Sequence, residues 1–362
     1  MANIPFNEKE MTKVGEYTGF ASVGSPKTPK YAKPISPKEN YKHALARDGK
    51  ALWFPMVSEA MYVESRANLD HIARAEIRDM GPEQKLEEKG GPDLFGIDWT
   101  FVPMVGGSME TPGQELLEDV NDWKSFVKFP DIDKLAWDNL KNDAVLNDTD
   151  LLLGITFQNG MFERLISFME FENAAIALID EDQQDAIHEL FDKLADMYIA
   201  MIKKYQEVLH LDAVMFHDDW GSQRDPFFSP ATLQEMVSPH IKKVSDYCHS
   251  QGLIFNHHSC GKNQRAVQAM IDEGDDIWQP QPMNDSEYLV ANFGDKMMFG
   301  VNLPAVDENI TDEEATAIAK EVVAKYAPTF YEKPVLIINM RAPQKLTDAI
   351  YRESRIALCG QE

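Results

Sequence analysis

The sequence predicts an α/β fold, a (β/α)8 TIM barrel carrying an extended N-terminal arm and an insertion before the third strand. Three observations predict it. Short continuous apolar runs such as "LLLGITF" (151–157) and "PVLIINM" (334–340) read as strands buried on both faces. Amphipathic helical stretches alternate with them through the second half of the chain, the pattern of a parallel sheet covered by helices. Seven or eight such strands can be counted and no G-x-G-x-x-G follows any of them, which favours a barrel over an open dinucleotide-binding sheet.

The elements follow in order. Residues 1–40 hold five prolines and no periodic apolar pattern, so they read as an extended arm. Residues 41–362 are expected to form one barrel domain, with additions at 80–150. "NYKHALARDGKALWFPMV" suggests a short helix and then a strand, Ala51 to Val57. The turn-rich stretch after residue 80 offers one strand, Ile97 to Val102. Strand 151–157 leads to a helix from Met161 to about Ile179, and "DEDQQDAIHELFDKLADMYIAMIKKYQEVL" is a long amphipathic helix with acids in its first turn. Strand 211–216 precedes a helix with Ser229 as N-cap and Pro230 at its first position. Strand 252–257, helix 263–273, strand 275–280, a short helix near Asp285 and strand 296–303 come next. Helix 311–326 opens on a capping box, Thr311 with Glu314. Strand 334–340 and a last helix close the chain.

Charge narrows the function classes. Against 35 basic side chains stand 60 acidic ones, a net charge of −25, and such a surface repels nucleic acid and anionic membrane. No apolar run approaches the ~20 residues that span a bilayer, and the polar start does not resemble a signal peptide. Three cysteines, Cys248, Cys260 and Cys359, do not suggest a disulfide framework. The expectation is a soluble, cytoplasmic protein.

In a barrel of this kind the site lies at the C-terminal ends of the strands. Six of those ends are polar. They bring Gln158 and Asn159, "HDDWGSQ" (217–223), "HHSCGKN" (257–263), Gln281 and Asn284 in "QPQPMND", Asn302, and Asn339 with Arg341. Within "NHHSCG" (256–261), strand alternation puts His257 on one face and Asn256, His258 and Cys260 on the other. His258 and Cys260 can therefore reach one ion, and Zn²⁺ accepts both imidazole nitrogen and thiolate sulfur. A histidine packed beside a buried free cysteine is the competing reading. His257 is expected to face the scaffold. His217 and Asp219 share a parity too, so either is a further ligand or the carboxylate that orients one. Glu163 is a ligand, a general base, or a first-turn acid stabilised by its helix. Trp220 is a candidate pocket wall.

These motifs resemble a known group. "HDDWGSQRDPFFSPATLQEMVSPHIKKV" followed by "FNHHSCGKN" is similar to the uroporphyrinogen decarboxylase superfamily, and more closely to its corrinoid-dependent methyltransferases. "ENYKHALARDGKALWFP", "GGPDLFGIDWTFVP", "GMFERL" and "WQPQPMND" resemble segments of the methyltransferase component of bacterial O-demethylases, and the likeness runs from about residue 39 to 341. The resemblance implies a barrel holding zinc at its mouth through H-x-C, matched by His258 and Cys260, plus a distant cysteine near the last strand. There this chain reads "NMRAP" (339–343), so the third ligand falls to Asp219, His217, Glu163 or the more distant Cys359. It also implies an aryl methyl ether as substrate and a partner corrinoid protein whose cob(I)alamin takes the methyl group. In that reading zinc stabilises charge on the ether oxygen, Asp219, His217 or Glu163 manages protons, and Gln158, Asn159, Trp220, Gln281, Asn284 and Asn339 contact the substrate. Rival readings are methyl transfer from a methylcorrinoid to a thiol or to tetrahydrofolate, a tetrapyrrole decarboxylase, and a metal-free binding protein. The decarboxylase is disfavoured because "MVSEAMYVESR" stands where an arginine-rich segment would hold its substrate.

Overall fold

The computed structural model describes residues 4–18, 27–104 and 106–362. Its centre is a curled parallel sheet of seven strands: β3 (Ala60–Val63), β7 (Leu152–Phe157), β8 (Ala213–His217), β9 (Ile254–His258), β10 (Ile277–Trp278), β11 (Met298–Asn302) and β12 (Val335–Ile338). They lie side by side in chain order, all parallel. Helices cover the outside: α1 (Pro37–Ala46), α2 (Leu69–Ala73), α3 (Met161–Ala177), α4 (Gln184–Gln206), α5 (Ser238–Ser250), α6 (Val267–Glu273), α7 (Ser286–Phe293), α8 (Asp312–Tyr326) and α9 (Gln344–Cys359). The predicted caps form: Ser229 accepts from Thr232 N, and Thr311 and Glu314 make a capping box. No helix among the described residues is long and apolar enough to cross a membrane.

Three expectations need correction. No regular eighth strand closes the sheet among the described residues; a single bridge, Met56 to Ile337, with Ile337 N donating to Pro55 O at 2.8 Å, draws the two edges together. Residues 51–57 do not form the first strand, which comes later as β3. Asn40 takes the backbone of that segment, accepting from Leu52 N at 2.7 Å and donating to Trp53 O at 3.0 Å, and Pro55 has no N–H to give. The strand expected at 97–102 forms from Asp98, in a separate antiparallel sheet of β4 (Gly91–Pro92), β5 (Asp98–Val102) and β6 (Gly107–Glu110). Trp99 is buried between exposed Asp98 and Thr100, the alternation of a sheet with one wet face. The insertion therefore precedes the second strand of the parallel sheet, not the third.

The arm lies against the last helix. Its strand β1 (Lys13–Glu16) pairs with β2 (Pro29–Tyr31), Phe6 is fully buried, and Glu10 accepts from Arg355 at 2.8 Å and Tyr351 at 2.6 Å.

The inward residues sort into layers. Leu152, Ala213, Ile277, Met298 and Leu336 form an apolar plug with Tyr41 of α1. Gly154 is required in the next layer, because a Cβ there would meet the Tyr62 ring 2.5 Å away. Above the plug the interior turns polar: Tyr62, Asn256, Thr156 and Glu64, then Gln158, His217 and His258. That change of layer positions the site.

Candidate metal centre at the sheet mouth

The strands β8 and β9 end side by side, with His217 paired to His258 in register. Side chains two apart share a face, so His217 and Asp219 project beside His258 and Cys260. Ligand atoms of these four residues all lie within 4.8 Å of one another. The imidazoles stack, centroids 4.3 Å apart and 17° from parallel. His258 Nε2 stands 3.4 Å from Cys260 Sγ. Asp219 Oδ1 accepts from the Cys260 backbone N–H at 2.5 Å, which locks the loop between them. Gly261 continues that loop at φ 95°, where an added Cβ would strike the Gly221 carbonyl.

Glu163 stands behind His217. Its Oε2 accepts from Nδ1 at 2.6 Å, which fixes the proton on Nδ1 and leaves Nε2 free to ligate. It contributes no atom to the four-residue group, so of the candidate further ligands Asp219 and His217 belong to it and Glu163 and Cys359 do not. Asp218, of opposite parity, holds the helix that carries Glu163: its carboxylate accepts from Phe162 N at 3.2 Å and Glu163 N at 2.9 Å. Gly160 makes this possible, since a Cβ there would collide with the Asp218 side chain. Arg74, beyond α2, was not singled out from sequence; Nη1 lies 3.4 Å from Glu163 Oε1 and donates to Asn159 Oδ1 at 2.8 Å.

The electrostatics suit a metal. Burial drives the His217 pKa down to about 4, although Asp219 opposes this, and burial with His217 beside it takes His258 down to about 3. Both imidazoles are thus neutral with lone pairs available. Burial, and then Asp219, pushes the Cys260 thiol up to about 12. Burial raises Glu163 against the pull of Arg74. Two nitrogens, a sulfur and an oxygen converging in this way match the donors that zinc takes.

The other predicted residues fall outside that group. Gln281 joins its edge, donating to Cys260 Sγ at 3.2 Å and accepting from Gly261 N at 2.8 Å. Gln158 donates to Glu64 Oε1 at 2.7 Å on the inner face. Asn159 receives Arg74, and its backbone carbonyl accepts from Tyr198. Trp220 is a correction: fully buried, it donates to Asp218 at 2.9 Å and meets His257 edge-on at 4.5 Å, so it belongs to the scaffold. Asn284 braces a loop through Gly261 O and Gln264 N, and Asn339 ties β12 to Ser58. Cys359 is a second correction. It sits at the end of α9 with Sγ toward Leu52 O at 3.8 Å, because the terminal helix runs along the outside of the sheet.

His257 lies on the outer face, wholly buried, with Nδ1 2.8 Å from Glu273 and 3.0 Å from Asp275. Burial works against its charged form, but the two carboxylates outweigh it and hold the imidazole well above its usual range.

No family model matches the chain, and no curated protein matches it either. Among solved structures, a methyltransferase from Methanosarcina mazei is similar over 88% of this chain and 98% of its own, with TM-score 0.58 and 13% sequence identity. The catalytic domain of an endo-beta-1,4-mannanase from Bacillus sp. JAMB-750 covers 67% of this chain and 76% of its own at TM-score 0.33 and 10% identity, too loose a likeness to argue from. At 13% identity the first comparison establishes the architecture: this chain shares the α/β fold of that methyltransferase.

Proposed function

We propose that the chain is a zinc-dependent methyltransferase that removes the methyl group of a methyl ether, an aryl methyl ether in the favoured case, and passes it to the cobalt of a partner corrinoid protein. One observation carries the reading: His217, Asp219, His258 and Cys260 converge within 4.8 Å at the C-terminal mouth of the parallel sheet. The shared fold with a solved methyltransferase supports it. A zinc ion bound there supplies Lewis-acid stabilisation of negative charge developing on the ether oxygen.

The chain's own residues do the rest. His258 and Cys260 hold the ion, and His217 presents Nε2 because Glu163 keeps the proton on Nδ1. Asp219 fixes the Cys260 loop and offers an oxygen. Gln281 steadies the sulfur by donating to it. The polar strand ends surround this group, so the partner docks over the same mouth.

The test is a methyl-transfer assay with a reduced corrinoid protein and a panel of methoxyaromatics, methylamines and methanol, with zinc measured alongside. Transfer from a methoxyaromatic, lost together with zinc in Cys260→Ala, is the expected result. Unchanged zinc content and unchanged transfer in that variant would overturn the reading.

A further inference from the structure

The chain carries a net charge of −25, yet one rim of the sheet mouth gathers three cations around an open cavity of about 550 Å³. The loop after β8 brings Arg224 and Asp225 to it, the loop after β9 Lys262 and Arg265, and the loop after β10 Asp285. These loops are braced against one another. Lys262 N donates to Ser222 O at 2.8 Å, and Gly261 packs so closely that an added Cβ would strike the Gly221 carbonyl. Asn284 accepts from Gln264 N at 3.0 Å and donates to Gly261 O at 2.9 Å. The cavity is therefore preformed, the usual condition of a small-molecule site. Its charges are unequally engaged. Arg265 Nη1 pairs with Asp225 Oδ2 at 2.5 Å, and Asp285 caps α7 by accepting from Tyr288 N at 3.0 Å. Arg224 and Lys262 engage only their backbone N–H groups, both toward Ser222, and neither side chain pairs with a carboxylate among the described residues. Gln264, also on the wall, spends Oε1 on Asp285 N at 2.9 Å, and its Nε2 has no partner. Carboxylates are plentiful in this chain, so two cations left unpaired on one preformed cavity point to an anionic guest.

We infer that this cavity binds an oxyanion, the phosphate or carboxylate group of a small molecule, with Arg224 and Lys262 as its counter-charges and Gln264 Nε2 as a third donor. Binding here requires neither metal nor turnover, so it goes beyond methyl transfer. Lys262 follows Cys260 by two peptide units, which holds their Cα atoms within about 7.6 Å and makes the cavity a neighbour of the candidate metal centre. The oxyanion has two sources: a substituent of the molecule bound at that centre, or a separate ligand on the rim.

Calorimetric titration of the full chain at pH 7 and low salt, with inorganic phosphate and with benzoate, tests the site. At least one probe should bind with a Kd of about 1 mM, equally with and without zinc. Arg224→Ala and Lys262→Ala should each weaken it about tenfold, the loss of one charge-assisted hydrogen bond. Lys128→Ala, at another exposed lysine, should leave it unchanged. No binding of either probe, binding only when zinc is present, or binding untouched in both cation variants would overturn the assignment. The transfer assay separates the sources. If the oxyanion belongs to the substrate, Lys262→Ala should raise KM about tenfold for 4-methoxybenzoate and less than about twofold for anisole. Unchanged KM for both ethers, with phosphate binding lost, assigns the cavity to a separate ligand. A chain that binds phosphate here yet transfers methyl from neither ether sinks the proposed function and upholds the oxyanion site.

Discussion

"HDDW" and "NHHSC" each place residues on both faces of the sheet, and the two faces do different work. Inward lie His217, Asp219, His258 and Cys260, each partly exposed, with neutral imidazoles and a protonated thiol. Outward lie Asp218, Trp220 and His257, all fully buried, tied to Glu273 and Asp275 and to the first turn of α3. One face keeps its donors free; the other uses every charge to hold the first in place. Adjacent histidines in one hexapeptide thus have opposite chemistry, His257 held charged by carboxylates and His258 held neutral by burial. Identity of side chain did not decide this. Strand parity did.

Mutations can break the contrast. The largest effect on stability should come from the outer face: His257→Leu leaves Glu273 and Asp275 buried without their cation and should cost about 3–5 kcal/mol in urea unfolding. A loss under 1 kcal/mol would mean that the outer group is not a buried ion cluster. On the inner face, Cys260→Ala should retain the fold by circular dichroism yet keep no stoichiometric zinc after dialysis. Next comes the residue behind the histidine. Glu163→Gln should weaken zinc about 10–100-fold in chelator competition, and no change would show that Glu163 does not orient His217.

The last expected effect is a pH slope. Cys260 must lose a proton to ligate, and its thiol is pushed up to about 12. His217 and His258 sit at about 4 and about 3, so they exchange no protons near neutrality. Raising the pH from 7 to 9 therefore favours the ligating form, and affinity should climb about tenfold per unit, the signature of one released proton. A flat profile would remove the thiolate from the ligand set. The metal-free chain carries the opposite test. Depressed imidazole pKa values stabilise the fold above the ordinary histidine range, and that contribution should drain away as pH falls from about 6.5 toward 4.

Much of this was legible in the sequence. Strands β7, β8, β9, β11 and β12 and the long helices fall close to where continuous apolar runs and amphipathic periods put them. Alternation alone predicts which histidine of "NHHSCG" shares a face with Cys260, because a period of two leaves no freedom once the strand is right. What escaped depends on tertiary partners. Apolar residues 51–54 look like a strand, but the Asn40 side chain satisfies their backbone instead. Trp220 reads as a pocket wall until Asp218 and His257 claim both of its edges. Arg74 carries no motif at all, and only the packing of α2 against β7 brings it to the mouth.

The central claim is that the inward group binds zinc through both imidazoles and one sulfur. X-ray absorption at the zinc edge, on protein purified with zinc, reads this directly. The account predicts one zinc–sulfur distance of about 2.3 Å with the remaining ligands nitrogen or oxygen at about 2.0–2.2 Å. A first shell with no sulfur, or with two, would contradict it.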